Sequence, residues 1–164
     1  MAAVTVRFAR ADDAEGFVRA YELSWNSSLG PIAGRTLDEL SPFADRLASF
    51  ASGIEQATPD VGVFVAERDG AIVGVAVVGP ESSRTSELRA LYVIPDAWAS
   101  GVAALLLERA LQFMRSRNST AAVLWVVVDN SRARRFYERE GWHADGRQRV
   151  SSLGPSELRY TRRL

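Results

Sequence analysis

The stretch LWVVVDNSRARRFYEREGW, residues 124–142, decides how this chain of 164 residues is read. It opens inside the apolar run AAVLWVVV at 121–128, which is apolar at both parities of a two-residue repeat. That is the pattern of a strand covered on both faces, and it predicts a central position in a sheet. Asn130 or Ser131 then stands where a helix N-cap belongs, and Ala133, Phe136 and Tyr137 follow at helical spacing. Gly141 suits the left-handed residue that closes a helix over 131–140.

Upstream, ELRALYVIPDAWASGVA at 87–103 carries a second strand, 86–94, which stops at Pro95. A short loop leads into a helix over 101–117, with Val102, Leu105, Leu106, Ala110, Phe113 and Met114 on one face. Strand, helix and strand at this separation predict a right-handed parallel crossover. The free backbone N–H groups at the helix start carry the positive end of its dipole, so the loop suits an anion such as a phosphate. Ser100-Gly101 is also an ordinary capping pair, and both readings stand at this point.

Before this core lies the strongest hairpin signal in the chain: VGVFVAER at 61–68 and AIVGVAVVG at 71–79 flank Asp69-Gly70. Val4, Val6 and Phe8 alternate as a first strand. Asp12 or Asp13 is placed to cap a helix carrying Phe17, Val18, Tyr21 and Trp25, and a further helical pattern covers 36–52 with Pro42 inside it. Two final strands fall near 142–150 and 156–163. The expected fold is α/β (α+β): one domain over 1–164, with a mixed, mostly antiparallel sheet of six to seven strands and about four helices.

Composition narrows the chemistry. There is no cysteine and one histidine, His143, so disulfides, thiolate sites and clustered-histidine metal sites are excluded, and no metal is expected. An eight-residue apolar run is far short of the roughly 20 residues that cross a bilayer. No membrane association and no secretory leader are expected, which makes a cytoplasmic location the default. Net charge is zero, yet residues 1–83 carry a net −6 and residues 84–164 a net +6, and every basic residue is arginine. Balanced charge without basic-aromatic interleaving argues against nucleic-acid binding.

The two segments together resemble the GNAT superfamily of N-acetyltransferases, whose signature is a strand, Q/R-x-x-G-x-G/A and a helix, then strand and N-x-x-A-x-x-F-Y-x-x-x-G-F/W. Asn130, Ala133, Phe136, Tyr137, Gly141 and Trp142 match the second part, and LYVIP before the loop is equally typical. In the first part Gly101 and Ala103 match, whereas Trp98 replaces the usual Gln/Arg and Ala99 stands where Gly is frequent. An alanine there is compatible with the loop if its dihedrals are helical.

The resemblance implies a ternary complex in which an amine attacks the thioester of acetyl-CoA directly. It places the pantetheine arm along the backbone of Leu91, Tyr92 and Val93 and against Asn130. The pyrophosphate falls on Trp98, Ala99, Ser100, Gly101, Val102 and Ala103, with Arg132 near the phosphates. Glu87 is the expected general base, with Glu67 as the other candidate, and Tyr137 the general acid toward the departing thiolate. The acceptor is a small-molecule or peptide amine. The carboxylates Asp12, Asp13, Glu15, Glu22, Asp38, Glu39, Asp45 and Glu55 favour a cationic one, and a homodimer is a common family arrangement. The competing reading is a non-catalytic acyl-CoA-binding module with a degenerate pyrophosphate loop. Structural roles are expected for His143 at the surface and for Trp25, Trp125 and Trp142 in the core, while the run Arg132, Arg134, Arg135 and Arg139 suits either a solvated helix face or the 3′-phosphate of CoA.

Overall fold

The computed structural model describes residues 2–164. The β-branched alternation of the N-terminus forms β1 (Val4–Phe8), and the apolar runs around Asp69-Gly70 form β2 (Gly62–Arg68) and β3 (Ala71–Ser82). Asp69 and Gly70 have φ of 53° and 78°, the left-handed pair that a tight hairpin turn requires. β4 (Thr85–Val93), β5 (Ala121–Val127), β6 (His143–Val150) and β7 (Ser156–Arg163) complete one seven-stranded sheet in the order β1-β2-β3-β4-β5-β7-β6. Every neighbouring pair is antiparallel except β4 and β5, so the sheet is mixed as the crossover pattern required.

Six α-helices flank it: α1 (Ala14–Ser28), α2 (Gly30–Ala33), α3 (Leu37–Leu40), α4 (Phe43–Glu55), α5 (Val102–Ser116) and α6 (Ser131–Arg139). The count exceeds four because the short α2 follows α1 and the 36–52 pattern is two helices. Thr36 caps α3 by accepting from the Glu39 N–H, and Pro42 then separates α3 from α4, since a proline ring cannot continue a helix. Asp13 does not cap α1 with its side chain; its carboxylate is held instead by Arg7 and by the Arg10 N–H.

α5 packs on one face of the sheet and α1 on the other. Leu106, Leu107, Leu111 and Met114 of α5 are fully buried, each contributing roughly 1.5–3 kcal/mol. Gly74 permits the close approach of this helix: a Cβ there would lie 2.8 Å from Leu106 Cδ1 and 3.2 Å from the Tyr92 carbonyl oxygen. None of the described helices is long and apolar enough to cross a membrane.

Two irregularities in β4 shape the centre of the sheet. Leu88 is opposite Val78 while Ala90 is opposite Val77, so Arg89 is an extra residue that bulges from the strand. The bulge shifts the alternation: Leu88 and Leu91, three apart, both pack in the α5-side core, while Tyr92 joins the α1-side cluster. The parallel pairing with β5 is also brief, running only through Thr85–Ala121, Ser86–Ala122 and Glu87–Val123. Beyond Glu87 the two strands part.

Candidate active site

Where β4 and β5 part, their facing backbone N–H and C=O groups have no strand partner, which leaves a gap in the middle of the sheet. Three neighbouring cavities surround this opening. The gap itself, about 140 Å³, is lined by Glu87, Leu91, Tyr92, Asn130, Ala133 and Tyr137 among others. On the α5 and α6 side it opens into a cavity of about 450 Å³ bordered by Trp98, Ala99, Gly101, Ala103, Arg132 and Tyr137. On the α1 side a cavity of about 350 Å³ lies between α1 and the β6–β7 connection.

The loop entering α5 leaves a helix start without a side-chain cap. Gly101, φ 87°, is the helix N-cap and no side chain caps the helix. Ser100 does not cap it either, because its hydroxyl donates to the Ala97 carbonyl at 2.5 Å. The backbone N–H groups of residues 99–104 consequently donate to no acceptor among the described residues. Ala99 has φ 59°, so its dihedrals are left-handed rather than helical. That explains why glycine is frequent at this position, and a non-glycine residue there is strained by about 1–2 kcal/mol.

Trp98 is held by its indole N–H, which donates to the Val93 carbonyl at 2.8 Å, so that carbonyl is already engaged. The Arg132 guanidinium stacks on the Trp98 ring, 3.3 Å from its centroid. A cation from the facing helix therefore stands beside a loop that carries none of its own. Of the other arginines on α6, Arg139 borders the same cavity, while Arg134 is tied to the Tyr160 hydroxyl and the Val128 carbonyl.

Asn130 does cap α6, accepting from the Ala133 N–H at 3.2 Å, and its amide N–H groups, on the edge of the gap, donate to no acceptor among the described residues. Tyr137 is 9% exposed, with its ring against Phe136 and Trp142. Its hydroxyl has no hydrogen-bond partner among the described residues, and burial pushes its pKa well above the ordinary tyrosine value. Tyr92 is likewise raised by burial, with the Tyr21 ring 4.8 Å away.

Glu87 is in the gap, its nearest cation being Arg89 at 3.9 Å. Glu67 is not: on β2, near the other edge of the sheet, it accepts from Arg7 at 2.8 Å, beside the Arg7–Asp13 pair. The eight carboxylates from Asp12 to Glu55 are also elsewhere. Asp13 pairs with Arg7, Glu15 with Arg19, and Glu22 and Asp38 with Arg46; none of the eight borders the three cavities. Their excess thus carries no information about the acceptor.

His143 is exposed, and Trp25 and Trp142 are buried, as expected. Trp125 is only half-buried, and Arg149 stacks on it at 4.2 Å. Arg149 and its partner Glu157, which border the gap, are invisible to motif reasoning because β6 and β7 carry no motif. Only the register that sets Glu157 opposite both Val127 and Arg149 shows where they are.

Residues 17–142 match the model of the acetyltransferase (GNAT) family. An uncharacterized N-acetyltransferase of Archaeoglobus fulgidus is 33% identical over 138 residues, 80% of this chain and 88% of that protein. An uncharacterized N-acetyltransferase of Mycobacterium tuberculosis H37Rv, Rv2669, is 32% identical over 110 residues, 66% of this chain and 70% of that one. The fold is shared with the PaiA N-acetyltransferase of Thermoplasma acidophilum, solved in complex with coenzyme A. The TM-score is 0.79 at 17% identity, over 96% of this chain and 98% of that one. It is shared too with yncA of Salmonella typhimurium, solved with acetyl-CoA, at TM-score 0.76 and 22% identity over 99% and 94% of the chains. The chain belongs to the acetyltransferase (GNAT) family, and with that membership it is an acyl-CoA-dependent N-acyltransferase.

Proposed function

We propose that the protein transfers the acetyl group of acetyl-CoA to a primary amine by direct attack, with both substrates bound at once. The observation that carries this reading is the gap between β4 and β5, which joins a cavity floored by an anion seat to a second cavity on the opposite face. A pyrophosphate on the N–H groups of 99–104, with Arg132 beside it, directs the pantetheine arm along residues 91–93 and past the Asn130 amide. The thioester then lies in the gap and the amine reaches it from the α1 side.

An alkyl ammonium does not attack a carbonyl carbon, so a proton must leave it first. Glu87, in the gap, is the carboxylate that takes it. Backbone N–H groups of the 91–93 segment stabilise the oxyanion as it forms. Tyr137 faces the same gap with a hydroxyl that has no partner among the described residues, and it donates to the sulfur as CoA departs.

The test is calorimetric titration with acetyl-CoA, run beside thiol release with pooled amines. Saturable binding together with thiol release from some pool is the expected result. Binding without release from any pool would favour a non-catalytic module, and no binding near millimolar acetyl-CoA would mean that the Trp98-Ala99 loop no longer holds the cofactor.

A further inference from the structure

The cavity on the α1 side is lined by Tyr21, Trp25, Leu29, Tyr92 and Leu153 together with the polar residues Ser151 and Ser152. Among the described residues, the only charged ones lining it are Arg149 and Glu157, and both also line the gap, which places them at its throat. Their contact uses one atom of each: Arg149 Nε donates to Glu157 Oε2 at 2.6 Å. The two terminal nitrogens of the guanidinium and Glu157 Oε1 make no hydrogen bond among the described residues. Arg149 packs on the Trp125 ring with its side chain about half exposed, and the Glu157 side chain is only 14% exposed.

A neutral pair with one free donor fork and one free carboxylate oxygen is complementary to a ligand carrying both charges side by side. An α-amino acid is such a ligand, its nitrogen and carboxylate lying about 3 Å apart across one Cα. Each charge gains a partner without breaking the resident pair, whereas a simple amine would leave the fork empty. A polyamine would bring a second ammonium into a cavity with a single, already paired carboxylate.

On the reading that the chain is an N-acetyltransferase, we propose that its acceptor is a free α-amino acid with an apolar side chain. Its carboxylate sits on Arg149, its ammonium on Glu157 and its side chain against Tyr21, Trp25 and Tyr92. Glu157 and Arg149 are then the specificity residues, and the amine they hold points into the gap toward Glu87.

The probes are L-phenylalanine, L-phenylalaninamide, 2-phenylethylamine and spermidine, each titrated calorimetrically into the protein with and without CoA. The free acid is expected to bind, and to bind at least about tenfold more tightly than the amide or the amine, the size of a lost charged fork contact. Arg149→Gln is expected to erase the difference between acid and amide, and Glu157→Gln to weaken all ligands bearing an α-amine, with melting temperatures confirming that both variants fold. Should either variant fail to fold, the series on the unaltered protein decides. Equal binding of acid and amide, preference for spermidine, or no binding of the free acid overturns the proposal. Thiol release from acetyl-CoA with L-phenylalanine reports separately on the activity: binding without release sinks the acetyltransferase reading and leaves the amino-acid site standing.

Discussion

Replacing Tyr137 by phenylalanine separates packing from chemistry at this site. The ring is buried against Phe136 and Trp142, and phenylalanine keeps those contacts. The hydroxyl bonds to nothing among the described residues, so its loss should change stability by no more than about 0.5 kcal/mol, or about 2 °C for a chain of this size. The effect on rate follows from the direction of the pKa shift. Burial holds this hydroxyl well above its ordinary value, whereas a departing thiolate has a conjugate acid near 8.5. Complete proton transfer is therefore uphill, and the tyrosine acts as a hydrogen-bond donor to the developing charge. Such a bond contributes about 1.5–3 kcal/mol, which predicts a fall in kcat of roughly ten- to 150-fold. The assay is steady-state thiol release from acetyl-CoA, with KM for acetyl-CoA and a thermal melt measured on the same preparation. An unchanged kcat would refute the donor role, and a loss of rate that tracks a large fall in melting temperature would show that the hydroxyl matters only to folding.

Glu87→Gln should lower kcat by about 10²–10³-fold with acetyl-CoA binding retained, while Glu67→Gln, remote from the gap, should leave kcat unaltered; calorimetry and kinetics together would expose the reverse pattern. Ala99→Gly relieves a left-handed alanine worth about 1–2 kcal/mol, offset by about 0.5–1 kcal/mol of glycine chain entropy, so the melting temperature should rise by about 1–4 °C. A fall would mean that the loop is not strained there. All four tyrosines have raised pKa values, with burial the largest cause in each. The unfolded chain loses these protons first, near pH 10, so this stabilisation is complete below about pH 10 and is lost as pH climbs toward the folded values. Tyrosinate absorbance of the native protein should lag behind that of the unfolded protein in an alkaline titration, and coincident curves would contradict the burial.

Local patterns carried much of the fold into the sequence. The Asp69-Gly70 hairpin, the doubly apolar 121–128 strand and the Asn130 cap depend on near neighbours, and their signals are dihedral and periodic preferences that single residues possess. The same holds for the motif residues Gly101 and Asn130, since both are placed by the turns they start. Composition misled where it stood in for position. The carboxylates of the 11–60 region looked like an acceptor site, and the fold uses several of them in ion pairs and caps on its periphery.

What only the tertiary structure decided is how distant strands meet. Membership in an N-acyltransferase family was legible because its motif is contiguous in two segments. The Arg89 bulge depends on cross-strand register between β3 and β4, and the gap depends on β4 and β5 parting after three pairs. The stacking of Arg132 on Trp98 joins helix and loop across a cleft. Arg149 and Glu157 come from strands without motif, and they become a pair at the throat of the α1-side cavity only because β7 lies between β5 and β6. Strand order is a property of the whole chain's packing, which the preferences of individual residues do not encode.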